Sequence, residues 1–426
     1  MKRIKVTAIE TRGQKLKISY QISTKLEKYF SELRAFEAEY SENISDVPPG
    51  VLVIPFVCNV LPIVWLTDAI LELPVLDREF YEAIPNVQEG YRNMSPMLSF
   101  KGSINVDKIE KNTYQPTENT AAFFSGGVDA FATLVAHVKE KPQLITLWGA
   151  DIKLNDIEGW DRVKSHIKTV SQQFGLVEPL MVRSNFRTIV IEKALNELVK
   201  SSKETWWYGY QHGIGIIGHA APIAYHKRWK TVYFASTNTI SDKVICASDP
   251  TIDNKVKFVN TKIWHDQYEF TRQQKVQHIV ESCKNGGPPI QLRVCWQSDG
   301  GSNCCHCEKC ARTLFAILAE GENPRDFGFA NWQKYISIYP TMLRMQLYEV
   351  EHLRAFWADI QHRMLSTQPN YLNQNFRWLY ALDVNNPLTY LMKLKLEIKR
   401  TLPFIWRILR HIKEKLSFKN CHIVTK

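Results

Sequence analysis

The sequence predicts an α/β protein organised around a parallel sheet, and three observations carry that expectation. From residue 120 onward, short apolar runs alternate with amphipathic stretches of helical length. One strand-to-helix boundary holds the glycine-bearing turn Ser125-Gly126-Gly127-Val128-Asp129. The composition, 45% hydrophobic and 23% charged with 19 Gly and 19 Pro in 426 residues, is that of an ordinary globular chain. At roughly 150 residues per domain, two or three domains are expected.

Residues 1–115 read as an N-terminal α+β domain. Alternating runs at 3–10 and 15–22 flank Thr11-Arg12-Gly13-Gln14, as in a hairpin. Apolar residues 51–57 and 63–67 predict two buried strands, and 77–84 a helix. The stretch 51–66 is broken by Pro55, Asn59 and Pro62 and falls short of the ~20 apolar residues a spanning helix needs. No catalytic constellation stands out here.

Residues 116–320 read as a second, α/β domain. Strands are expected at 121–124, 144–148, 180–183 and 231–236, with helices at 130–139, 157–174 and around 213–226. Such βαβ units put ligands at the carboxyl ends of the strands. Residues 321–426 read as a helical, aromatic region (342–364, 371–382) that ends in a basic amphipathic tail. There Phe404, Ile405, Ile408, Leu409, Ile412 and Leu416 share one helical face, with Arg407, Arg410, Lys413 and Lys415 largely off it. The tail suits a protein partner, or an anionic membrane surface.

The formal net charge is +11, but ten Lys/Arg against Glu397 and Glu414 put +8 of it in residues 391–426. A near-neutral body does not favour a nucleic-acid partner. Met1-Lys2-Arg3-Ile4-Lys5-Val6 lacks the apolar core of a secretory signal, so the expected location is cytoplasmic. A homodimer is left open.

The turn at Ser125 has the chemistry of a phosphate loop. Glycines let the backbone approach an anion, and the following helix N-terminus adds partial positive charge. Ser125 can donate a hydroxyl to phosphate, and Asp129 can hold Mg²⁺ on a polyphosphate. A plain strand-to-helix turn is the competing reading. No Gly-Lys-Ser/Thr follows, so this is not a Walker loop. The string resembles the PP-loop of the ATP pyrophosphatase superfamily, Ser-Gly-Gly-x-Asp-Ser. Ser125, Gly126, Gly127 and Asp129 match, Val128 is the variable position, and Ala130 replaces the last serine.

Six of the nine cysteines lie between Cys283 and Cys310. Cys295-x8-Cys304-x2-Cys307-x2-Cys310 offers four thiolates at zinc-ligand spacing, so a structural Zn²⁺ is expected. An iron–sulfur cluster or free thiols are the alternatives, and Cys305 and His306 rank below the four. Loop and knot together, over residues 119–320, resemble 7-cyano-7-deazaguanine synthases. The resemblance implies ATP, Mg²⁺ and Zn²⁺ as cofactors, with Arg272 and Lys275 of Arg272-Gln273-Gln274-Lys275 as cations near the nucleotide. A solvated helix face is their blander role. Where those enzymes carry Tyr-Pro-Asp-Cys, this chain has Ala247-Ser248-Asp249-Pro250-Thr251.

The implied reaction is AMP-forming: adenylation of the carboxylate of a small-molecule or modified-macromolecule acyl substrate, followed by attack of ammonia or an amine. Asp129, Lys275 and Arg272 are the candidate catalytic residues. RNA modification on the same fold and non-catalytic nucleotide sensing are the alternatives. Asp151 could face the cleft, while helix capping suits Asp156 better. Gly213-Ile214-Gly215-Ile216-Ile217-Gly218 matches a dinucleotide fingerprint by letter only and reads as a closely packed helix. His212, His219 and His226 are assigned no role.

Overall fold

The computed structural model describes residues 2–401 apart from 113, 243, 296, 298–300 and 368–375, so the amphipathic tail from 403 and residues 371–375 of the 371–382 stretch lie outside the described residues, while Arg377–Tyr380 is a short helix. Alternation builds the first hairpin: β1 (Arg3–Arg12) and β2 (Lys15–Ile22) bury Ile4, Val6, Leu16, Ile18 and Tyr20 on one face. Gly13, at φ +62°, takes the left-handed turn between them.

The two strands expected at 51–57 and 63–67 do not form. Ile54–Thr67 is one helix, buried on every side except at Leu66. A segment that is apolar all round carries no period, so strand and buried helix look alike in sequence. Asn59, which had looked like a break, is the polar anchor of this helix. Its amide donates to the carbonyls of Pro55 (2.9 Å) and Gly215 (3.1 Å) and accepts from Gln211 Nε2 (2.9 Å).

Further strands follow: β3 (Ala35–Tyr40), β4 (Ile70–Asp77), β5 (Ser103–Glu110), β6 (Thr120–Phe123), β7 (Gln143–Trp148), β8 (Leu180–Ser184), β9 (Thr231–Ala235), β10 (Lys257–Phe258) and β11 (Thr261–Asp266). All belong to one sheet in the order β10-β11-β9-β6-β7-β8-β3-β2-β1-β4-β5. The pairs β11/β9, β9/β6, β6/β7, β7/β8, β1/β4 and β4/β5 are parallel. The remaining pairs, including β3/β8 through Tyr40 and Val182, are antiparallel. The strands of residues 1–115 therefore extend the sheet of residues 116–320.

Strand β6 pairs with β7 on one side and β9 on the other, so the strand order reverses there and its carboxyl end opens into a crevice. All four of its residues are buried. Ala121 and Phe123 face a core shared with the helices Ile54–Thr67 and His212–Ile217. Ala122 and Phe124 face a second core with Val128–Ala136, Ile157–Gln173 and Glu308–Ala319.

The glycines of the 213–218 string serve packing. A Cβ at Gly213 would lie 2.3 Å from the Ala247 carbonyl oxygen, at Gly215 2.6 Å from Asn59 Oδ1, and at Gly218 2.7 Å from the Cys58 side chain. This segment thus lies against the helix Ile54–Thr67. Among the described residues, no helix is long and apolar enough to cross a membrane.

Candidate functional site

The turn Ser125–Asp129 leaves the carboxyl end of β6. Gly126 adopts φ +79° and Gly127 is the N-cap of the helix Val128–Ala136, so the first amides of that helix point out of its start without intrahelical partners. The loop carbonyls are held from the other side by Arg293. Its Nε and Nη2 donate to the Ser125 carbonyl at 3.0 and 2.7 Å, and its backbone N–H donates to the Gly126 carbonyl at 2.7 Å.

Over this loop lies a cavity of about 190 Å³. Its polar wall includes Ser125, Asp129, Asp151 and the cations Arg272, Arg293 and Lys309. Its apolar wall includes Ile145, Ile216, Phe234 and Trp160, the last stacked on Trp148 with ring centroids 5.2 Å apart. Cations beside an open helix N-terminus make a site for an anion, and the aromatic wall suits a flat, apolar body.

Asp129 and Arg272, 143 residues apart, meet because the helices Val128–Ala136 and Arg272–Lys284 pack side by side. Arg272 Nη1 donates to Asp129 Oδ2 at 2.8 Å, and Lys275 Nζ lies 3.8 Å from Oδ1. Thr271 begins the second helix with a capping box to Gln274, which fixes its first turn. Burial opposes ionisation of Asp129, but Arg272, Lys275 and Lys309 outweigh it and hold the carboxyl below the usual carboxylate range. Lys275 is fully buried, donates to the Ser236 carbonyl at 2.6 Å and stands behind Asp129. Asp151 is in the cavity wall, while Asp156 caps the helix Ile157–Gln173 by accepting from Gly159 N at 2.9 Å.

The four cysteines converge. Cys295, Cys304, Cys307 and Cys310 Sγ atoms all lie within 4.8 Å of one another, with the 295/307 and 304/310 pairs at 3.9 Å. A tetrahedral Zn²⁺ with sulfur at about 2.3 Å requires sulfur–sulfur edges of ~3.8 Å, so the quartet fits the ion. Backbone N–H groups of Cys307 and Cys310 reach Cys304 Sγ and Cys307 Sγ at 3.4 Å, the outer contacts a bound thiolate needs. Cys305 points instead to the Asn303 carbonyl, and His306 to that of Cys304.

Sequence reasoning missed Arg293 and Lys309 as cavity cations. The first lies two residues before a knot cysteine and the second between two of them, so offset from the metal ligands was the available signal. His212, set aside in the sequence, lines the cavity; His219 bridges the Gly215 carbonyl and Ser184 Oγ at 2.8 and 2.9 Å; His226 lies 3.0 Å from Asp46.

Burial lowers the pKa of His166, His212 and His219 to about 4 each. The unfolded chain binds protons at these sites from about pH 6.5 downward. Their stability contribution is therefore complete above about 6.5 and is lost as pH falls toward 4. Urea midpoints measured between pH 7 and 5 are expected to fall. His219→Gln, outside the cysteine quartet, should flatten that slope by up to about one proton; an unchanged slope would place the proton uptake elsewhere.

No protein-family model, curated protein or solved structure matches this chain.

Proposed function

We propose that this chain is a PP-loop ATP pyrophosphatase of synthase type, forming AMP as it activates a carboxylate for attack by ammonia or an amine. The observation that carries the reading is the phosphate-loop turn at the carboxyl end of β6, where the strand order reverses, opening into a cavity walled by Arg272, Arg293 and Lys309. In this reaction a carboxylate oxygen attacks the α-phosphorus and the bond to the β-phosphate breaks. Pyrophosphate departs against the loop amides and the cavity cations. The amine lone pair then attacks the acyl carbon and AMP leaves.

Catalysis of this kind rests on positioning and charge neutralisation, the chemistry that preorganised amides and cations supply. Asp129 Oδ1 makes no hydrogen bond among the described residues, which suits it to contribute one carboxylate oxygen to a hydrated Mg²⁺. Bound there, Mg²⁺ would neutralise polyphosphate charge. Arg272 contacts the ligand and steadies Asp129; Lys275 acts as a positioning residue behind it.

The test is incubation with ATP-Mg²⁺, ammonia and 7-carboxy-7-deazaguanine or related acids, with AMP, pyrophosphate and the nitrogen-bearing product measured. Substrate-dependent AMP is expected. ATP that binds but yields no AMP with any acid would favour nucleotide sensing, a reading supported by Ala130, whose methyl lines the cavity where the motif carries a hydroxyl.

A further inference from the structure

We propose that the cysteine quartet governs the phosphate loop: metal occupancy fixes the loop through Arg293, and Lys309 is the knot-borne cation that touches the bound phosphate. The second half rests on the proposed reading of the cavity as a polyphosphate site; the first does not.

Two chain segments run from the quartet to the loop. The first is 292–295. Asn303 staples it to the knot, its Oδ1 accepting from the backbone of Val294 (2.9 Å) and Cys295 (3.3 Å) while its Nδ2 donates to the Leu292 carbonyl (2.8 Å). Arg293 projects from this stapled segment and makes the three hydrogen bonds to Ser125 and Gly126 described above. Gly126 is held in left-handed backbone, which glycine tolerates but does not require, so an outside clamp is what selects that geometry. Cys295, two residues on, both belongs to the quartet and lines the cavity.

The second segment is 307–310. Cys307 is the N-cap of Glu308–Ala319 and its sulfur accepts from Cys310 N, so closure around an ion sets the start of that helix. Lys309 sits in this first turn and enters the cavity wall beside Asp129 and Asp151, whose charges bear on it. An ammonium in such a wall is arranged for an incoming anion. Opening the quartet would release both the clamp and the cation.

The experiment compares full-length protein, metal-loaded and after chelation under reducing conditions. Hydrogen exchange is read in peptides covering residues 125–129, with residues 4–22 as internal reference, and inorganic pyrophosphate binding is followed by calorimetry. Metal removal is expected to speed loop exchange about tenfold or more with the reference unchanged, and zinc should restore it. Pyrophosphate affinity should fall by about 10–100-fold, the usual scale for losing groups that orient a site.

Arg293→Met, with metal content retained, should reproduce the fast loop exchange. Lys309→Met should retain both metal and slow exchange yet weaken pyrophosphate about fivefold or more. Loop exchange unchanged in both the metal-free protein and Arg293→Met overturns the coupling. If chelation also speeds the reference strands, Arg293→Met alone decides. If metal-loaded protein has a protected loop but binds no pyrophosphate, the coupling stands, while the phosphate reading and the role of Lys309 fall.

Discussion

Cys310→Ala is expected to strip the protein of zinc, from about one equivalent per chain to less than about a tenth, and to destabilise it by several kcal/mol. Cys310 Sγ is within 4.8 Å of the other three sulfurs and the residue is fully buried, so its loss leaves a three-thiolate remnant that cannot close around the ion, and among the described residues no other His, Cys, Asp or Glu belongs to the cluster. Structural zinc in isolated fingers is worth on the order of 10–16 kcal/mol of binding free energy. A chain of this size has other sources of stability, so the loss should appear as a local rather than a global collapse, at least ~3 kcal/mol at the helix Glu308–Ala319. Cys305→Ala is the control. It follows Cys304 directly and is also buried, but its sulfur faces the Asn303 carbonyl, so metal content should remain near one equivalent. Metal analysis and thermal melts of the two variants decide: metal retained by Cys310→Ala and lost by Cys305→Ala would break the quartet.

The contrast between these two cysteines shows what the sequence could reveal. Ligand spacing is a local property: four thiols within 16 residues have few ways to converge, and Cys295, Cys304, Cys307 and Cys310 were legible for that reason. The loop at Ser125 was legible likewise, since strand, glycines and helix are contiguous. The strand order that puts this loop in a crevice was not, because β6 meets β9 across more than a hundred residues. The helix Ile54–Thr67 was misread because a surface with no polar side has no phase, and Asn59 looked like a defect until its partner Gly215 came into view. Arg293, marked in the sequence only by its offset from a knot cysteine, was missed for a third reason. Its role lies in hydrogen bonds to backbone carbonyls, which leave no mark on the residues they hold.

Removing the carboxylate at Asp129 tests the other pillar of the site. Asp129→Ala leaves Arg272 and Lys275 facing one another beneath the cavity, both buried, with neither sharing a counter-charge at that point. Breaking a buried pair from one side typically costs about 3–5 kcal/mol, because the surviving charge stays desolvated. That cost should shrink when Arg272→Met is added, giving a coupling of at least ~1 kcal/mol in a double-mutant cycle read by urea unfolding. Additive losses would mean that the 2.8 Å contact stabilises nothing. Because the Asp129 carboxyl is held below its usual range, the pair is fully formed at neutral pH and weakens only in acid below about pH 4, so assays near pH 7 compare single protonation states. Asp129→Asn separates structure from chemistry. It keeps the shape and an oxygen for Arg272 but withdraws the charge, so it should fold at reduced stability while the proposed AMP formation falls by about a hundredfold or more, the scale of losing an electrostatic stabiliser in a dry site. Wild-type AMP formation by a folded Asp129→Asn protein would show that this carboxylate serves the fold alone and would move the chemistry to another part of the cavity.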